Sequence, residues 1–85
     1  MKRKKYKLTK TTKKYDLFTL YQIEALRDFS DVKKGDKGGF IEKEENLSQD
    51  DNAWVYGNAE VSGNVRVSGN ARVFGNAEVY GDAGV

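Results

Sequence analysis

Glu42, Glu44 and Glu45 fall within four residues of one another, and Asp50 and Asp51 follow shortly after. Carboxylates placed this close can divide acid and base roles when their surroundings separate their proton affinities. The sequence offers few other reactive groups. It has no cysteine, so no thiolate can attack a substrate or hold a metal, and it has no histidine, the commonest general base and metal ligand. A polar, solvated strip accounts for the three glutamates without catalysis. Asp50-Asp51-Asn52 lacks the spaced ligand pattern of a calcium loop and suits turn chemistry. No phosphate loop or dinucleotide fingerprint occurs in "KKGDKGGF" at residues 33–40, whose Gly35, Gly38 and Gly39 suit a tight change of direction. No catalytic residue, cofactor or metal site is expected.

Charge is divided along the chain. The net charge is +2, yet Lys2, Arg3, Lys4, Lys5, Lys7, Lys10, Lys13 and Lys14 all precede the first acid, Asp16, and the remainder is acidic. Lys2, Arg3, Lys4 and Lys5 form a basic arm over residues 1–5, read either as a solvated tail or as a contact for nucleic acid or an acidic protein. The start resembles the charged part of a signal peptide, but no apolar stretch follows, and no run is long enough to span a bilayer. A cytoplasmic protein is expected.

At 85 residues the chain is at most one small domain. Residues 6–39 form a non-repeating capping segment. In it Leu17, Leu20, Tyr21, Ile23, Leu26 and Phe29 fit a helix, while residues 20–25 also alternate and would pair with residues 6–8 in a hairpin. From residue 40 to 85 a six-residue period takes over. Ala53, Ala59, Val65, Ala71, Ala77 and Ala83 hold one phase, and Val55, Val61, Val67, Val73, Val79 and Val85 another. Gly57, Gly63, Gly69, Gly75 and Gly81 mark the corners, and counting back by six from Ala53 reaches Leu47 and Ile41. Ala-x-Val alternates as a very short strand with both apolar residues on one side, and Gly-Asn turns the chain. A short fixed period is the mark of stacked units that cannot bury their apolar face alone.

Segments such as Val61-Ser62-Gly63-Asn64-Val65-Arg66 resemble the hexapeptide repeat of left-handed parallel β-helices, in which three hexapeptides make one triangular coil. The resemblance implies an all-β fold: a short left-handed β-helix preceded by a small N-terminal β segment, with strands rather than a helix before the repeat. Residues 20–59 are also similar to a group of small phage and prophage proteins with an "ALRDFGDVKxGDxGG"-like lead-in. Hexapeptide β-helices are best known as acyltransferases, with a histidine as general base, or as anhydrases with three metal-bound histidines. Without histidine neither role carries over, and a non-enzymatic protein is expected.

With three hexapeptides per coil, residues eighteen apart stack. Trp54, Tyr56, Arg72 and Phe74 then share one face, with the composition of a binding hot spot. The competing reading is that the N-terminal segment folds back over that face. A second face carries Glu60, Ser62, Glu78 and Tyr80 above Glu42 and Glu44, and a third carries Ser48, Asp50, Arg66 and Ser68. The last coil leaves Val79, Tyr80, Ala83 and Val85 for a second copy to cover, predicting a homodimer through that end. The leading expectation is a phage-derived binding protein acting on a bacterial host protein, with a defence system such as a CRISPR effector as the target its origin suggests. The alternatives are an oligomerising stalk cut from a larger protein, and nucleic-acid binding through the basic arm.

Overall fold

The computed structural model describes residues 4–15 and 18–81. It is nearly all β. In chain order the strands are β1 (Tyr6–Tyr15), β2 (Phe18–Ala25), β3 (Lys37–Ile41), β4 (Trp54–Val55), β5 (Glu60–Val61), β6 (Arg72–Val73) and β7 (Glu78–Val79), with one 3-10 turn at Glu44–Asn46. They form two open sheets, ordered β1-β2-β3-β5-β7 and β4-β6.

β1 and β2 pair antiparallel, with Tyr6 opposite Ala25 and Leu8 opposite Ile23. The strand reading of residues 20–25 therefore holds over the helical one. On β2, Ile23 and Ala25 point one way into the core, an alternation that only a strand gives. β2 continues antiparallel onto β3, and from β3 onward every pairing is parallel.

In the parallel part the chain returns alongside itself at fixed intervals. Trp54 lies opposite Arg72 and Glu60 opposite Glu78, both eighteen residues on. Earlier returns are longer: Ile41 lies opposite Val61 and Leu47 opposite Val67, twenty residues on. Ile41 and Leu47 thus stack with the Val phase rather than the Ala phase that counting back by six assigns them. Two extra residues sit between Leu47 and Val55, in the irregular stretch 48–52. The corners behave as read, since Gly57, Gly63, Gly69, Gly75 and Gly81 all have φ between 62° and 88°, where a side chain is strained.

The glycines of the lead-in divide into two jobs. Gly35 has φ 94° and makes a turn, with the Asp36 amide donating to the Lys33 carbonyl. Gly38 and Gly39 are in β3, not in a turn, and serve close packing. A Cβ at Gly38 would stand 2.6 Å from the Val55 carbonyl oxygen and 2.8 Å from Trp54 Cζ2, and one at Gly39 2.6 Å from the Ala59 carbonyl oxygen.

One core joins hairpin and repeat. Tyr6, Ile23, Ala25, Phe29 and Val32 from the N-terminal segment pack with Ile41, Leu47, Ala53, Trp54, Val55, Ala59, Val61, Val65, Val67 and Val73. Burial fades toward β7: Val73 is buried, Val79 half-buried, and Tyr80 exposed.

Candidate interaction surface

Trp54 is not on the surface. Its outward position in β4 is covered by the N-terminal segment, with the Phe29 ring edge-on at 5.2 Å and Tyr6 at 6.2 Å. Burial of a large ring contributes more than a free binding site would, and the lead-in has apolar residues of its own to hide. The expected partner-binding set is corrected accordingly: of Trp54, Tyr56, Arg72 and Phe74, the first is core. The others remain together. Tyr56 stacks on Phe74, ring centroids 4.6 Å apart and 14° from parallel. The Tyr56 hydroxyl donates to Asp31 Oδ1 at 2.8 Å, and Arg72 Nη2 donates to Ser30 Oγ at 3.1 Å. Partial burial, with the Asp31 carboxylate alongside, raises the Tyr56 phenol. The outer ring, Phe74, is 55% exposed, and Tyr80 near it in sequence is 66% exposed. Val79 belongs to the core's margin, while Ala83 and Val85 lie outside the described residues.

The basic arm is likewise not free where it is described. Lys2 and Arg3 lie outside the described residues. Lys4 pairs with Glu44 at 3.1 Å. Lys5 is fully buried: its ammonium donates to the carbonyls of Asp51 at 2.9 Å and Ala53 at 2.6 Å, lies 3.6 Å from Asp51 Oδ1, and sits 4.9 Å from the Phe29 ring centroid. It thereby fills the irregular stretch 48–52. Gln49 clamps the same strand, accepting from the Lys5 and Tyr6 amides and donating to the Tyr6 carbonyl. The physical reason is satisfaction of buried polar groups: two carbonyls turned inward by the two extra residues need donors, and a lysine can supply both.

Burial lowers the Lys5 ammonium from 10.5 to about 8, against the pull of Asp51. Burial, with Glu44 and Glu45 nearby, raises the Tyr6 phenol well above its ordinary 10; its hydroxyl donates to the carbonyls of Glu44 and Leu47. Burial opposes ionised Asp51, but amide donors from Gly69 and Ala53 hold it below its ordinary value. The signs give a testable profile. Lys5 favours the folded state most when neutral, so its contribution is complete above 10.5 and lost as pH falls through about 8. Tyr6 favours folding when protonated, so its contribution is complete below 10 and lost above it. The urea midpoint should climb from pH 8 to near 10 and fall beyond. Lys5→Met should abolish the rising limb. A monotonic fall from pH 8 in the intact protein would refute the assignment.

The paired carboxylates are dispersed. Glu42 Oε1 accepts the Gly63 amide at 2.7 Å, and Glu44 is shared between Lys4 and Gln49. Glu44 and Glu45 line a groove of about 530 Å³ with Leu47, Ser48, Gln49, Asp50 and Arg66. Among the described residues no three acidic groups gather as a metal site. No described helix is long and apolar enough to cross a membrane. The eighteen-residue stacking already put Ser48, Asp50 and Arg66 on one face; what it did not bring to them are Glu44 and Glu45 of the 3-10 turn.

Fold and surfaces together define a small, nearly all-β protein whose short parallel strands recur at eighteen residues on a covering hairpin. No family model matches the sequence. Over 37 residues, 44% of this chain, it is 49% identical to the "uncharacterized acetyltransferase YdcK" of Escherichia coli (strain K12). The match spans 11% of that protein's length. This similarity overturns the expectation of a non-enzymatic protein: it points to an enzyme family, and the lack of histidine is not a sufficient argument against one. It shows no phage link.

Proposed function

We propose that this chain is a hexapeptide-repeat segment of an acetyltransferase-type protein, its parallel strands making the first coils of a left-handed β-helix. The observation that carries the reading is the acetyltransferase match, supported by the eighteen-residue offsets, each three hexapeptides long. Acetyl transfer needs an acceptor held beside a base. The groove over Leu47 has three carboxylates, Glu44, Glu45 and Asp50, against Arg66 and the Lys4 ammonium paired with Glu44, a balance that still leaves one negative charge to draw in a cationic amine. Glu45 takes a proton from the bound ammonium. The freed nitrogen attacks the carbonyl carbon of an acetyl thioester and forms the carbon–nitrogen bond, the carbon–sulfur bond breaks, and the leaving thiolate takes up the second proton that the nitrogen gives up as it becomes an amide. Arg66 faces the charge that develops on the carbonyl oxygen.

Thiol release from an acetyl thioester, followed with a panel of primary amines, is the test. Glu45→Gln should slow it by about a hundredfold, the usual scale of a general base. Turnover no faster than buffer, or an unchanged rate in Glu45→Gln, overturns the reading. A second reading is favoured by Phe74 and Tyr80, whose exposure leaves an aromatic margin beside β6 and β7 suited to a second copy or a host protein.

A further inference from the structure

The charge of the N-terminal segment is only partly used by the fold. Lys4, Lys5 and Lys13 pair with Glu44, Asp51 and Glu60. Lys7, Lys10 and Lys14, all on β1, are exposed and have no ion-pair partner among the described residues. Between residues 4 and 15 there is no acid to offset them.

Their strand has a particular form. β1 ends the five-stranded sheet, so one edge of its backbone faces solvent. Between Leu8 and Thr12 the register slips, leaving residues 9–11 opposite Gln22 alone. Thr9 Oγ1 donates to the Gln22 carbonyl at 2.8 Å and accepts the Thr11 amide at 3.2 Å. The bulge thereby opens a groove of about 390 Å³ lined by Lys7, Leu8, Thr9, Lys10, Thr11, Glu24 and Lys37. Glu24, the single acid there, is held by Lys37 at 3.3 Å. The groove is left with a net positive charge, the exposed Thr11 hydroxyl and the strand edge, the kinds of donor that contact phosphate oxygens.

We propose that the exposed edge strand of the hairpin, β1, binds the phosphodiester backbone of double-helical nucleic acid. Ten residues of strand reach about 30 Å, close to one duplex turn, and a two-stranded ribbon is a width the major groove admits. Charge selects this occupant. The body behind the hairpin is acidic, so the protein approaches a polyanion hairpin-first and is repelled the other way round. The contact lies on β1 and not on residues 4 and 5, which the fold consumes. Lysines on an edge strand also discourage sheet-to-sheet association, and that role alone would produce no binding.

The test uses the full chain with a 20-base-pair DNA duplex. Titrations run across a salt series, with polyglutamate as competitor. Lys7→Ala/Lys10→Ala/Lys14→Ala should keep its circular dichroism, because all three side chains are exposed. It should lose at least tenfold in affinity at about 50 mM salt and flatten the log–log salt slope by about 2.7, near 0.9 per phosphate contact. Lys33→Ala/Lys34→Ala, equally exposed but in the turn before β3, should bind as the parent does. No binding at about 50 mM salt overturns the proposal, as does a triple variant with an unchanged slope. Equal loss in the Lys33/Lys34 control, or displacement by polyglutamate as effective as by free duplex, overturns it as well.

Discussion

Lys5→Ala should shift the protein from folded toward unfolded at 25 °C, by about 3–5 kcal/mol, the range for breaking a buried, paired charge. The substitution removes the donor from two inward carbonyls, those of Asp51 and Ala53, and the cation from Asp51. It also leaves a void beside Phe29. A domain of this length has a total stability on the order of 4–13 kcal/mol, so one side chain takes up much of it. Lys5→Met separates the causes. It restores bulk without donors and should recover part of the loss, leaving about 1–3 kcal/mol for the unsatisfied carbonyls. Urea midpoints for the two variants are the measurement. A loss under about 1 kcal/mol for Lys5→Ala would mean the ammonium is not seated as described.

Trp54→Ala is the second large effect, about 3–5 kcal/mol from lost transfer and cavity formation. The two edge-on contacts with Tyr6 and Phe29 add to it. The outcome also decides between the two readings of the aromatic face. A surface tryptophan could be removed with the sheet signal intact and only association lost. A core tryptophan takes the sheet signal with it. Phe74→Ala, by contrast, trims an exposed ring and should leave folding nearly unchanged. As the chain has one tryptophan, its emission reports directly: blue-shifted when folded and red-shifting in step with loss of circular dichroism. A folded Trp54→Ala variant that has lost only association would return Trp54 to the surface.

What could be read from the sequence follows the range of the forces involved. The inward phases Val55, Val61, Val67 and Val73 and the glycine corners are set by a local period, and all are found where the period puts them. For the hairpin, periodicity left helix and strand both open over residues 20–25, and the family resemblance pointed to the strands that are found. Long-range choices were not legible. Which side of Trp54 counts as inside depends on Tyr6 and Phe29, and no spacing rule reaches that far. Lys5 meets Asp51 from 46 residues away, and a lysine in a basic run gives no sign that it will be buried. The two extra residues before Val55 escaped notice because Leu47 and Ile41 are apolar in either phase. Of the groove at Arg66, Ser48 and Asp50 were legible as its neighbours, whereas Glu44 and Glu45 were not. The enzyme question failed differently: it was argued from a missing residue type, and similarity to an acetyltransferase outweighed that.

The unequal returns, twenty residues at first and eighteen afterwards, give the molecule a direction in which its length can change. Among the described residues, the side-chain hydrogen bonds of the N-terminal segment reach along the repeat as far as Arg72. An eighteen-residue block duplicated beyond that point would meet the pairing it came from and leave those hydrogen bonds in place. The same block placed before Asn52 would displace the carbonyls that hold Lys5 and detach the cover from the core. Copy number is therefore adjustable at one end and fixed at the other, so related chains could differ by whole eighteen-residue units downstream while sharing one length for the opening segment.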